Sequence, residues 1–192
     1  MSEIEGAIRL PGMNSDATAV NIDRDAGSAR AGEAFEVLYL AHRDVVFRYV
    51  RAINRDEDLA LDLTAATFER AFAEIRAGRQ PGIGWLLRTA RNATIDADRR
   101  NRTAALFRLR SPASEVAASS PEEQTLEAER AQRIHRAMAG LPRPQRDAIA
   151  LRYSSDLTVR EIAEIIGKSA AATQKLLDRG LLRLKETLHD LA

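Results

Sequence analysis

An all-α protein of two small helical domains joined by a flexible linker is what this sequence predicts, on three observations. Apolar residues recur at three- and four-residue steps through most of the chain, the helix formers Ala, Leu, Arg and Glu dominate it, and the breaks fall where Gly, Pro and Ser collect. A content of 45% hydrophobic and 30% charged residues is that of a globular chain rather than a disordered or fibrous one, and 192 residues hold two compact modules plus a tail.

Residues 1–33 mix Gly, Asp, Ser, Ala and Asn without a sustained period and read as a flexible leader. Order is expected from Phe35, because Phe35, Leu38, His42, Val45, Tyr49 and Ile53 share one helical face up to the polar break Asn54-Arg55-Asp56-Glu57-Asp58. A second helix places Leu61, Ala65, Phe68, Phe72 and Ile75 on one side and stops at Gly78-Arg79-Gln80-Pro81-Gly82, where two glycines and a proline oppose continuation. The third aligns Ile83, Leu86, Leu87, Ala90, Ala93, Thr94 and Ala97, and its other face carries Arg88, Arg91, Asn92, Asp96, Arg99 and Arg100. Trp85, where that apolar stripe begins, is expected in the core. These three helices make a first domain over residues 34–102. Residues 103–125 lose the period, gain Ser and Pro, and read as the linker; the second domain spans residues 126–192.

In the second domain Ile134, Met138 and Leu141 form a stripe that closes at Gly140-Leu141-Pro142, and a further helix runs over residues 143–153. Thr158-Val159-Arg160-Glu161 has the form of a capping box, so a helix starts there and runs through Ile162, Ala163, Ile165 and Ile166 to Gly167. Ser169 caps the next helix, whose apolar side is Leu177, Leu181, Leu184 and Leu188, leaving Ala170, Ala171, Thr173, Gln174, Lys175 and Asp178 exposed. The spacing is that of a helix-turn-helix, a unit that lays its second helix in a major groove; on the helix pair alone a plain helical hairpin is an equal reading.

Composition removes whole classes of chemistry. Without cysteine there is no disulfide, thiolate metal site or thiol nucleophile, and His42, His135 and His189 are scattered, so neither metal nor cofactor is expected. The acidic start Met1-Ser2-Glu3-Ile4-Glu5 lacks an apolar segment, and no stretch approaches the roughly 20 apolar residues that cross a bilayer. A cytoplasmic protein without membrane insertion is therefore expected. A net charge of +1 argues against indiscriminate nucleic-acid binding, yet residues 76–110 concentrate arginine, a local excess suited to phosphates.

The stretch Leu141-Pro142-Arg143-Pro144-Gln145-Arg146-Asp147-Ala148-Ile149-Ala150-Leu151-Arg152-Tyr153, followed by Leu157-Thr158-Val159-Arg160-Glu161-Ile162-Ala163-Glu164-Ile165-Ile166-Gly167, closely resembles the fourth conserved region of extracytoplasmic-function sigma factors. Upstream, Asp62-Leu63-Thr64-Ala65-Ala66-Thr67-Phe68 and Gly84-Trp85-Leu86-Leu87-Arg88-Thr89-Ala90-Arg91-Asn92-Ala93-Thr94-Ile95-Asp96 resemble the family's second region. Together the resemblances cover residues 34–101 and 126–189.

The resemblance implies a non-enzymatic subunit that binds core RNA polymerase and directs promoter-specific initiation, serving a stress- or signal-responsive or specialised-metabolism regulon. It implies docking on the largest-subunit clamp through Asp58, Leu59, Asp62, Leu63 and Phe68, and a second contact at the polymerase flap. Arg88, Arg91, Asn92, Asp96, Arg99 and Arg100 would take the melted minus-ten element, and Ser169, Ala170, Thr173, Gln174, Lys175 and Arg179 the minus-thirty-five element. An anti-sigma factor is the further partner it implies. The chain departs from the family pattern twice: Ala65-Ala66 stands where a Gln-Glu pair is usual, and Ala172-Thr173-Gln174-Lys175-Leu176 replaces a Thr-Val-Lys-Ser-Arg run. Two other readings are a sigma-like interaction protein that does not start transcription, and a stand-alone helix-turn-helix regulator; the latter usually carries an alternating strand-and-helix receiver, which residues 34–101 lack.

Overall fold

The computed structural model describes residues 15–54, 56–108 and 126–190, and the regular structure among them is entirely helical. The order is α1 (Ser15–Ile53), α2 (Glu57–Arg76), α3 (Ile83–Arg108), α4 (Leu126–Ala139), α5 (Arg143–Ser154), α6 (Val159–Ile166) and α7 (Ala170–Asp190). The punctuation has the expected causes. Asp56 caps α2 by accepting from the Leu59 amide at 3.0 Å, and Gly78, at φ 78°, closes it in the left-handed conformation glycine tolerates best. Pro144 stands in the first turn of α5, where a missing amide hydrogen costs nothing.

Two element boundaries differ from the sequence expectation. α1 begins at Ser15, inside the stretch read as a leader, and Ala31 is already buried. α3 runs to Arg108, past the expected linker start. The reason is shared: nothing between Pro11 and Pro81, or between Pro81 and Pro112, forbids helix, so propensity carries it beyond the amphipathic stripe. Residues 1–14 of the leader and 109–125 of the linker lie outside the described residues.

The first domain packs α1 along α2, with α3 crossing both. Tyr49, Val46 and Val50 from α1 meet Phe68 from α2 and Leu86, Leu87 and Ala90 from α3, all of them nearly or wholly removed from solvent. At one end an aromatic cluster locks α1 to α2: Tyr39 stands edge-on to Phe68 with centroids 4.9 Å apart, and Phe35 edge-on to Phe72 at 5.1 Å. Trp85 is partly buried against this core, as expected.

The buried face of α2 is Ala60, Leu63, Thr64, Thr67, Phe68 and Ala71, not the stripe read from Leu61 and Ala65. Leu61 is 52% exposed. Small residues and threonines can serve as core because the Thr64 and Thr67 hydroxyls each donate to the carbonyl four residues back, at 2.7 Å, and so carry no unmet polar group inward. In the second domain Ile134 likewise lies outside the core, 52% exposed, because α4 makes its contacts through Ala137 and Met138.

The two domains are packed against each other. α5 lies on α1, α6 on α3, and their buried side chains join one continuous core. Within the second domain α7 crosses α5 at Gly180, where an added Cβ would stand 2.6 Å from Ile149 Cδ1 and 3.3 Å from Gln145 Cβ. Gly180→Ala is expected to lower thermal stability, because overpacking there costs about 1–3 kcal/mol and outweighs the helix-propensity gain of roughly 1 kcal/mol. Gly84→Ala, with no neighbour within 4 Å of the added carbon, should not lower it; comparison of the two melting curves checks both.

Candidate nucleic-acid interface

The helix-turn-helix is assembled by local chemistry. The Thr158 hydroxyl accepts from the Glu161 amide at 3.3 Å, while Glu161 Oε2 accepts from the Thr158 amide at 2.8 Å and from its hydroxyl at 2.7 Å. Those hydrogen bonds from Thr158 hold the Glu161 carboxyl below its ordinary range. Four apolar residues, Ile162, Ala163, Ile165 and Ile166, bury the inner side of α6. Gly167 then turns the chain at φ 75°, with the Gly167 and Lys168 amides both donating to the Ala163 carbonyl. Ser169 Oγ starts α7 by accepting from the Ala172 amide at 3.2 Å.

On α7 the structure exposes Ser169, Ala170, Ala171, Gln174, Lys175, Asp178 and Arg179, and buries Thr173 and Leu177. Thr173 is therefore corrected: at 0% exposure it faces α6 and cannot reach a base, and its hydroxyl has no partner. The remaining residues occupy one side of the first three turns, where a helix inserted end-first meets the groove. Gln174 is not a free side chain, since its Nε2 donates to Asp178 Oδ1 at 2.8 Å and leaves its carbonyl oxygen outward.

The third helix is divided between two tasks. Arg88, Asn92, Asp96, Arg99 and Arg100 all lie on exposed positions that follow one another at three- and four-residue steps, with the Arg100 Nε reaching back to the Asp96 carbonyl at 3.4 Å. Arg91 is set apart from them: it is turned toward the second domain, where its Nε pairs with Asp147 Oδ2 at 2.9 Å. Arg88, although exposed, also donates across the junction, to the Glu164 carbonyl at 3.2 Å.

Asp147 is the buried polar residue that sequence reasoning missed, because an aspartate within an amphipathic helix ordinarily marks the solvent side. Its side chain has no exposed surface. Arg91 from α3 holds one oxygen; Arg143 Nε approaches the other at 3.4 Å, and the Tyr49 hydroxyl lies 3.5 Å from that same oxygen. Arg143 also pairs with Asp98 and donates to Thr94 Oγ1 at 2.6 Å. Burial, and then the Asp147 charge, push the Tyr49 phenol well above its ordinary value. Burial and the adjacent Arg143 lower Arg146, whose Nη2 reaches the Ala139 and Leu141 carbonyls.

A third surface lies on α2. Asp58 and Asp62 are exposed one turn apart, with Glu57, Leu61, Ala65 and Glu69 beside them. Leu59 is half-buried, and two residues expected on this face are not there: Leu63 and Phe68 belong to the core and support the surface from beneath. Leu61 was not among the expected residues, nor were Val37 and Leu40 on α1, 70% and 73% exposed. Their signal in sequence is that each is a large apolar residue standing off the periodic stripe of its helix. Among the described residues no group of three or more His, Asp or Glu could hold a metal ion, and no helix is long and apolar enough to cross a membrane.

Comparison with known proteins agrees with this arrangement. The family described as Sigma-70 region 2 matches residues 38–104, and Sigma-70, region 4 matches residues 131–184. The chain is similar to the ECF RNA polymerase sigma factor BldN of Streptomyces coelicolor, at 30% identity over 95% of this chain and 70% of that protein. It is also similar to the ECF RNA polymerase sigma factor SigM of Bacillus subtilis, 30% identical over 77% of this chain and 91% of that one. In fold it is similar to the sigma factor RpoE of Bartonella quintana, solved with the anti-sigma factor NepR (TM-score 0.65, 22% identity, 81% of this chain and 96% of that one). CnrH, solved with the cytosolic domain of CnrY, gives a TM-score of 0.63 at 20% identity over 87% of this chain and 97% of that one.

Because the Thr173 hydroxyl is buried without a partner, Thr173→Val is expected to raise stability by about 1 kcal/mol and leave duplex affinity unchanged, as melting and DNA titration will show. Lys175→Ala should instead weaken duplex binding across sequences and reduce the slope of log affinity against log salt by about 1, whereas Gln174→Ala should relax base preference by about 1–3 kcal/mol at one position.

Proposed function

The chain belongs to the extracytoplasmic-function group of RNA polymerase sigma factors, and from that premise we propose how its surfaces divide the work of promoter-specific initiation. The protein binds core RNA polymerase and promoter DNA and directs transcription initiation. Region 2, over residues 34–102, docks on the clamp of the largest polymerase subunit through the α2 face of Asp58, Leu61 and Asp62, with Leu59 at its edge and Leu63 and Phe68 beneath. Its acidic groups suit a basic partner. The α3 stripe of Arg88, Asn92, Asp96, Arg99 and Arg100, together with Arg91, receives the melted minus-ten strand. Guanidinium groups there clamp phosphates while the polar side chains face an unstacked base.

Region 4, over residues 126–192, presents α7 to the minus-thirty-five element. Gln174 and Lys175 lie nearest the base edges, with Ser169 and Ala170 at the helix start and Arg179 as a backbone clamp. The flap of the polymerase holds this domain in place. The protein contributes binding free energy and no chemistry of its own, and it acts in the cytoplasm, where the polymerase is. Its genes are those of a stress, signal or specialised-metabolism response, and an anti-sigma factor is a fitting regulator. The observation that carries this reading is the presence in one chain of an exposed arginine stripe on α3 and a doubly capped helix-turn-helix, each on the region of the family that uses it.

Run-off transcription with purified core polymerase tests the reading. Promoter-dependent product should appear only when the protein is added, and its absence on every genomic fragment tried would refute initiation. The double charge reversal Asp58→Lys/Asp62→Lys should weaken co-elution with core polymerase about tenfold or more, because like charges then face each other across the contact.

A further inference from the structure

We propose that the free factor is closed: region 4 is docked on region 2 and latched by Asp147 against Arg91 and Arg143, and this form withholds α3 arginines from promoter DNA until the latch opens. The closure stands on the contacts themselves. Asp147 is fully buried between α1, α3 and α5, with Arg91 at 2.9 Å from region 2 and Arg143 at 3.4 Å from its own helix. Arg143 in turn crosses to Asp98 and Thr94 of region 2. Around this centre Arg48 donates to the Ser154 carbonyl at 3.1 Å and Arg88 to the Glu164 carbonyl at 3.2 Å. A carboxylate enclosed in this way is held by its cations, and neutralising it leaves two arginines facing each other with their counter-charge gone.

The consequence for DNA is geometric. Elements centred near minus ten and minus thirty-five lie about 25 base pairs apart, roughly 85 Å at 3.4 Å per step. Two small domains in direct side-chain contact cannot reach both. Closure also engages Arg91 with Asp147, so the carboxylate sits where a phosphate would otherwise pair with that guanidinium. The α7 face of Gln174, Lys175 and Asp178 stays exposed throughout, so the latch bears on the minus-ten surface.

The gating half of this inference rests on reading Arg91 as a DNA contact; the closure half does not. The chain has no cysteine, so Glu69→Cys on α2 and Lys185→Cys on α7, both exposed positions, give a clean donor and acceptor pair in the full-length protein. Energy transfer between them, read with neither DNA nor polymerase present, should be high in the otherwise unaltered chain and fall in Asp147→Asn. Asp98→Asn, at a half-exposed position, should open it partially and serves if Asp147→Asn does not fold.

Binding of a single-stranded minus-ten oligonucleotide should tighten on opening by about tenfold, the gain expected when a form holding about a tenth of the molecules becomes dominant. Arg91→Ala added to Asp147→Asn should remove that gain. Low transfer in the unaltered chain, or folded Asp147→Asn and Asp98→Asn proteins as compact as it is, would overturn closure. Opening without tighter oligonucleotide binding would overturn gating. Failure of the initiation reading would appear in run-off transcription and leave the domain distance untouched.

Discussion

A carboxylate wholly withdrawn from water needs cations brought to it, and the placement of Asp147 is the constraint around which the rest of the molecule is arranged. Arg91 comes from α3, Arg143 from α5, and the Tyr49 hydroxyl from α1, so three helices separated widely in sequence must meet at one point. Low dielectric strengthens each pairing and equally penalises any that is lost, which makes the junction specific in its geometry. The apolar contacts around it, Tyr49, Val46 and Leu151 among them, supply the area, and the ion cluster supplies the registration.

What that packing leaves uncovered is as informative as what it covers. α3 exposes one polar stripe from Arg88 to Arg100 and turns Arg91 inward, although the two sets are interleaved along the same helix. α7 buries Thr173 and Leu177 and leaves Gln174, Lys175 and Asp178 toward solvent. α2 shows acidic residues around Leu61 while Leu63 and Phe68 stay inside. Three functional faces therefore arise as the complements of three core faces, and a change of one helix's rotation by a single residue would exchange binding groups for core groups.

Two positions show how closely the domains are fitted. Gly180 exists where α7 approaches α5 too near for any side chain, and the Thr173 hydroxyl sits unpartnered at a place where the related Val would carry no polar cost. Ala65 lies exposed on the α2 face where the family usually has a polar residue, so that surface offers a methyl in place of a hydrogen-bonding group. The effect of Ala66, half-buried beside it, is not explained by any contact in the structure.

By itself the sequence determined everything that local chemistry controls. Helix existence followed from apolar recurrence, because helical hydrogen bonds span only four residues; the Thr158 cap, the Gly167 turn and the Ser169 start followed from side chains bonding their own backbone neighbours. The α3 core face was legible for the same reason, since its apolar and polar residues separate cleanly. Tertiary structure alone decided which side of the other helices is covered. Leu61 and Ile134 fit a periodic stripe yet face solvent, Thr64, Thr67 and Thr173 are buried, and Arg91 and Asp147 find each other across 56 residues. Burial is a property of what packs against a residue, and the partner helix comes from elsewhere in the chain, beyond the reach of any local pattern.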